Sequence, residues 1–225
     1  MQNIELLVKK LYAIYISLFL LAITFFVSCE TSEELLHPYD VERPLPRGCV
    51  DSNLFTTETQ VSQDEIVDLK RAYKDSKYAD YLKEKYAGLM HVTPDHIQSL
   101  MLYTFIDYWY GTHYRLGGND KMGIDCSAFA QKLYTTVFGI DLVRTSREQF
   151  SSCRFVKEEE KLMEGDLVFF RVKGKRISHV GVYLMNSYFI HSATNGGVMI
   201  SSLNDDYYRR RFAGAGYMPK YNKTN

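Results

Sequence analysis

The residues of this chain best placed to do chemistry are one cysteine and two histidines. Cys126 sits in the run Gly123-Ile124-Asp125-Cys126-Ser127-Ala128-Phe129, and His179 and His191 lie downstream in strand-like runs. A thiol at a helix start, with two imidazoles on one sheet, supplies a nucleophile, a base and a group to orient the base. Asp125 is a favourable N-cap residue. Ile124 before the cap and Phe129 at the fourth helical position are spaced for a hydrophobic staple. The pattern predicts a helix to about Phe138, with Phe129, Leu133, Val137 and Phe138 as its apolar stripe and Gly139 as its stop. Cys126 is then the first helical residue, where unpaired N–H groups and the helix dipole favour the thiolate. The same N–H groups could hold an oxyanion. A free cysteine is more often a small buried hydrophobe, so the reading rests on the histidines.

Four segments read as strands: 166–172, His179–Leu184, Tyr188–Ser192 and Val198–Ser202, with turn chemistry at Asn186-Ser187 and Asn195-Gly196-Gly197. They form a short antiparallel meander after a helical half. A two-residue turn at Asn186-Ser187 would put His179 and His191 on opposite faces, so an odd-length loop or a bulge is expected there. His179 would then serve as general base and acid, and His191 would fix its tautomer and orientation. The remaining histidines, His37, His91, His96 and His113, carry no such pattern. With no His-Glu-x-x-His and no Cys-x-x-Cys in the sequence, neither a metal nor another cofactor is expected.

These segments together resemble the NlpC/P60 family of papain-like cell-wall peptidases. The resemblance runs from about Asp107 to Pro219. It is carried by Tyr110-Gly-Thr-His-Tyr-Arg-Leu-Gly-Gly118, by the Cys126 run, and by Arg144-Thr-Ser146 with Gln149. It continues through Gly165-Asp-Leu-Val-Phe-Phe170, His179-Val-Gly-Val-Tyr183 and Phe189-Ile-His-Ser192. Within the family, the tail from Ser201 to Arg210 is similar to the small Spr-type murein endopeptidase lipoproteins. The resemblance implies an α+β, papain-like domain whose helical N-terminal half packs on a small antiparallel sheet. It implies Cys126 as nucleophile, His179 as base and His191 as the third polar member. It also implies that Tyr114 lies beside the nucleophile, and that Asp125 and Ser127 bind substrate. The implied substrate is peptidoglycan, cut at the crosslink between D-Ala and diaminopimelate. The D-Glu–diaminopimelate bond of the stem peptide is the alternative, and a non-catalytic wall-binding role is the rival outside enzymology. Two positions depart from the family pattern: Ala128 stands where Gly is usual, and Val143 where a Pro often precedes the Arg.

The N-terminus carries Lys9 and Lys10 and then an apolar run from Leu11 to Val27. That is the layout of an export signal, and the run is also long enough for an uncleaved anchor. Phe26-Val-Ser-Cys29 resembles a bacterial lipoprotein signal, which makes Cys29 the expected lipidation site. The protein is then expected to be exported and anchored to the outer membrane, on its periplasmic side or at the cell surface. The expected organisation is a signal over residues 1–28, a tether over 29–61, a helical segment over 62–92 and the catalytic domain over 93–221. In the helical segment Ser62-Gln-Asp-Glu65 reads as a capping box. Thr93-Pro94 is expected to open a helix with Ile97, Leu100, Met101, Thr104, Phe105 and Tyr108 on one face. In an oxidising compartment Cys49 and Cys153 could pair if Cys126 stays free. With 27 basic and 27 acidic residues among 225, the chain has no basic excess for nucleic acid. Arg209-Arg-Arg211 reads as a solvated surface.

Overall fold

The computed structural model describes residues 74–219. The export signal, Cys29, the tether, the Ser62–Glu65 box and Cys49 lie outside the described residues. No helix among the described residues is long and apolar enough to cross a membrane.

Helix α1 (Ser76–Met90) starts at Asp75, whose side chain accepts the N–H groups of Lys77 and Tyr78. It ends on His91 in the left-handed conformation. Leu82, Tyr86, Ala87 and Met90 give it one buried stripe. Helix α2 (Leu100–Trp109) is buried almost all round, through Met101 to Ile106 and Trp109. It is therefore the central helix and not a one-faced one. Its start also differs from the expected one at Thr93-Pro94. The Thr93 hydroxyl is taken by the His96 ring at 2.8 Å and caps no N–H. The result is a single 3₁₀ turn over Pro94–His96, a break, and then α2.

After the two-residue strands β1 (Asn119–Asp120) and β2 (Gly123–Ile124) comes α3 (Cys126–Leu133). Its continuation over Tyr134–Phe138 is wound as a π-helix, and Gly139 closes it in the left-handed conformation. The expected stop is present; the last turns are wider than an α-helix, and there the Tyr134 hydroxyl reaches out to donate to the Gly165 carbonyl. Helix α4 (Ser146–Ser152) carries a complete capping box between Thr145 and Glu148.

The main sheet has six antiparallel strands in the order β3-β8-β4-β5-β6-β7: β3 (Arg154–Val156), β4 (Leu167–Phe170), β5 (His179–Tyr183), β6 (Tyr188–Ala193), β7 (Gly197–Ser202) and β8 (Phe212–Tyr217). The short helix α5 (Asp206–Arg209) lies between β7 and β8. Strands β4 to β7 are the expected meander. Strands β3 and β8 were not expected; β8 returns to pair with both β3 and β4. Alternation assigns side chains to two cores. Leu167, Phe169, Val180, Val182 and Ile190 join the helices in the larger one. Val168, Phe170, Phe189, Leu203 and Ala215 form a smaller one on the other face.

Candidate active site

The β5–β6 connection decides the placement of the two histidines. Val182 pairs with Ile190, Tyr183 with Phe189, and the Leu184 N–H donates to the Tyr188 carbonyl. That leaves a three-residue loop, Met185-Asn186-Ser187, with φ of 50° at Asn186 and 65° at Ser187. The odd length puts His179 and His191 on one face, as the alternation argument requires. Their rings meet edge to face, with His179 Nε2 2.7 Å from His191 Nδ1. On the far side His191 Nε2 lies 3.0 Å from Ser201 Oγ and 3.3 Å from Tyr208 Oη.

The β5–β6 ladder stops at Val182–Ile190. Beyond it β5 stays with β4 as far as His179, while β6 stays with β7 as far as Ala193. The two strands diverge at their histidine ends, and the N-terminus of α3 docks there. Ser192 Oγ on β6 donates to the Ile124 carbonyl at 2.7 Å, and the Val180 N–H on β5 is directed at the Cys126 sulfur. The thiol therefore sits against the residue that follows His179. The N–H groups of Cys126 and Ser127 also favour its thiolate.

Asp125 caps α3 as expected, accepting the Ala128 N–H at 2.8 Å. It does more than cap. Arg144 Nη1 and Nη2 reach its two carboxylate oxygens at 3.0 and 2.6 Å, Ser127 Oγ donates at 3.0 Å, and the Gly117 N–H at 2.9 Å. Arg144 also bonds Ser127 Oγ at 2.9 Å. Burial opposes the carboxylate charge, but these bonds, Arg144 foremost, hold its pKa below the ordinary carboxylate value. The Asp125 and Ser127 side chains are thus almost fully engaged within the protein.

Burial dominates the titration of the other site groups. It pushes the Cys126 thiol up to about 11, outweighing the helix-terminal N–H groups that were expected to favour the thiolate. It lowers His179 to about 4. His191 is held well below the ordinary imidazole value by burial and by the neighbouring His179. At neutral pH the resting site is therefore a thiol beside two neutral imidazoles. Tyr114 stands near Cys126 and Asp125, and burial raises its phenol, with those two groups adding to the effect. It is carried by the 111–114 segment, which clamps onto β7: the Gly111 N–H donates to the Val198 carbonyl and the Val198 N–H to the Thr112 carbonyl. Gly197 permits that approach, since a Cβ there would lie 2.2 Å from the Thr112 oxygen.

With this geometry in hand, the comparisons with known proteins are specific. The NlpC/P60 family profile matches residues 111–217. A Haemophilus influenzae protein named "Probable endopeptidase NlpC homolog" is 43% identical over 135 residues, which is 58% of this chain and 71% of that protein. The chain belongs to the NlpC/P60 family. An Escherichia coli relative named "Murein DD-endopeptidase MepS/Murein LD-carboxypeptidase" is 44% identical over 104 residues, 46% of this chain and 54% of that protein. The chain thus spans about half the length of the Escherichia coli protein. A crystal structure of an NlpC/P60 family protein from Bacillus cereus superposes with a TM-score of 0.48 at 30% identity, over 52% of this chain and 39% of that one.

Both departures from the NlpC/P60 pattern are accommodated. Ala128 is fully buried and its N–H still bonds Asp125. Val143 offers its carbonyl to Gln149 Nε2 at 2.9 Å, so the loop still delivers Arg144 to Asp125. Gln149 is fully buried and reaches the Ser127 carbonyl as well, at 3.1 Å. The motif pointed to Arg144 and Gln149 but not to their shared task of fixing the α3 terminus. Ser201 and Tyr208 lie in the tail that carries the Spr-type resemblance but were not expected at the site. Register places Ser201 here: His191 pairs with Met199, which puts Ser201 two residues along on the same face. Cys153 packs with its sulfur 3.8 Å from that of Met218.

Proposed function

We propose that this chain is a cysteine peptidase that hydrolyses peptide bonds of peptidoglycan, at the crosslink between D-Ala and diaminopimelate. The observation that carries this reading is the docking of the Cys126 helix terminus into the β5–β6 opening beside a bonded His179–His191 pair. The names of the Haemophilus and Escherichia coli relatives support an endopeptidase acting on murein. His179 Nε2 is occupied by His191, which leaves Nδ1 as the nitrogen for the thiol. His179 takes the Cys126 proton as sulfur attacks the amide carbonyl, then passes it to the leaving amine. Water releases the acyl group by the reverse route. In this reading the N–H groups at the α3 terminus and the Tyr114 hydroxyl stabilise the oxyanion.

The substrate contacts expected of Asp125 and Ser127 are not part of this reading. With their oxygens bonded to Arg144, their role in this reading is to hold the helix terminus and its N–H groups in place. Export and lipid anchoring through Cys29 fit a substrate outside the cytoplasm, and mass spectrometry of the purified membrane form tests them directly: a diacylglyceryl group on Cys29 is expected.

Digestion of purified crosslinked peptidoglycan, read by mass spectrometry, tests the activity with Cys126→Ala beside the unmodified protein. Monomers released from dimers by the unmodified protein alone are the expected result. Stem peptides shortened to D-Glu would move the cut to the D-Glu–diaminopimelate bond. Wall binding with no Cys126-dependent product would sink the peptidase reading.

A further inference from the structure

His191 has a second edge, and two hydroxyls that take no part in the mechanism above converge on it. Ser201 on β7 comes within 3.0 Å of Nε2 and Tyr208 on α5 within 3.3 Å. His191 is fully buried and Ser201 nearly so, at 7% exposed, so no solvent competes for this contact.

Counting protons shows what this edge controls. Each neutral imidazole carries one N–H, and the 2.7 Å contact between the rings holds one hydrogen. When His179 supplies that hydrogen from Nε2, its Nδ1 is a lone pair able to take the Cys126 proton, and His191 must carry its own proton on Nε2. When His191 supplies it from Nδ1, the His179 proton is forced onto Nδ1. That nitrogen then cannot act as a base. The tautomer of His191 therefore decides whether His179 is competent. A hydroxyl oxygen carries lone pairs, so Ser201 Oγ at 3.0 Å and Tyr208 Oη at 3.3 Å are acceptors within reach of an N–H at Nε2.

We propose that Ser201 and Tyr208 are positioning residues that hold His191 in its Nε2–H tautomer, so that His179 keeps a free lone pair for the Cys126 thiol. The inference rests on the Cys126–His179 reading. In that arrangement His179 Nε2–H donates to His191 Nδ1, and His191 Nε2–H faces the Ser201 and Tyr208 oxygens. No bond between heavy atoms changes and no net proton leaves the chain.

The test compares the full-length chain with Ser201→Ala, Tyr208→Phe, their double variant and the hydroxyl-retaining Ser201→Thr. Nitrogen NMR of ¹⁵N-histidine protein reads the His191 tautomer directly, and iodoacetamide capture of Cys126 reads base competence without any wall substrate. The unmodified protein and Ser201→Thr are expected to show His191 protonated at Nε2. The double variant is expected to show mixed tautomers, Cys126 capture slowed about tenfold, and kcat lowered by a similar factor with KM within twofold. An unchanged tautomer in a folded double variant, or Nδ1–H in the unmodified protein, overturns the proposal. A separate His179→Ala control tells the two readings apart. If it slows capture while the double variant does not, the tautomer role falls and the Cys126–His179 pair stands. If His179→Ala leaves capture unchanged, the pair itself falls and the proposal with it.

Discussion

At the scale of single residues, the resting site is defined by burial more than by the helix terminus. A thiol pushed up to about 11 and an imidazole lowered to about 4 share one protonation state over a wide range of pH. The neutral His179 is the competent base, and it is lost only as pH falls through about 4. The acid limb of kcat/KM is accordingly expected below pH 5, well under the ordinary imidazole value of about 6.5. A pH–rate profile bending between 6 and 7 would contradict this and favour a solvated or ion-paired histidine. Arg144 is the second residue-scale test. Its fork meets both Asp125 oxygens, a match that lysine cannot make. Arg144→Lys is therefore expected to cost roughly 1–2 kcal/mol in denaturant unfolding, by loss of a charge-assisted bond. It should also lower kcat/KM, because the α3 terminus would no longer be fixed. Arg144→Lys with unaltered activity would argue that Asp125 needs no such clamp.

Among the elements, the ones carrying chemistry were legible and the ones closing the sheet were not. Asp125, Phe129 and Gly139 mark the start, face and stop of α3 because caps and staples are local signals. The parity of His179 and His191 called for an odd loop, which is present, because strand alternation is a local rule too. Strand β8, Phe-Ala-Gly-Ala-Gly-Tyr217, has almost no alternation, and its place between β3 and β4 is set by pairing with distant chain. The π-wound turn and the Ser201 contact are likewise products of tertiary packing. One packing product has a testable consequence. Glu164, in the loop before β4, is partly buried; the Tyr103 hydroxyl of α2 donates to it at 2.7 Å, and burial raises its pKa to about 7. A raised carboxyl pKa gives stability that is full below the unfolded value of about 4.3 and is lost as pH rises through 7. Glu164→Gln keeps an acceptor for Tyr103 and removes the charge. The melting temperature of Glu164→Gln relative to the unmodified protein should therefore climb between pH 4.5 and 7 and then level off. The gain at pH 8 is at most about 4 kcal/mol. A difference independent of pH would show that Glu164 is solvated.

For the molecule as a whole, the decisive question is where the folding unit begins. Residues 62–92 were expected to form a segment ahead of the catalytic domain, yet α1 shares the main core with the sheet. Leu82, Tyr86 and Met90 are at most 1% exposed. Asp107 on α2 binds α1 three times, through Tyr78 at 2.7 Å, Lys85 at 2.5 Å and Tyr86 at 3.1 Å. At the other end of α1, Asn186 in the β5–β6 loop donates to the Met90 carbonyl at 2.8 Å. That bond connects α1 to the loop whose odd length aligns the two histidines. Burial of three large side chains contributes about 1.5–3 kcal/mol each. Their sum of roughly 5–9 kcal/mol is comparable to the whole stability of a typical domain. Removing α1 would also leave Asp107 without its three donors. A chain beginning at Thr93 is therefore expected to lose the cooperative unfolding that the full-length chain shows. If the Thr93 form instead melts as the longer one does, α1 is a removable attachment. The His179–His191 alignment must then be maintained by the sheet alone.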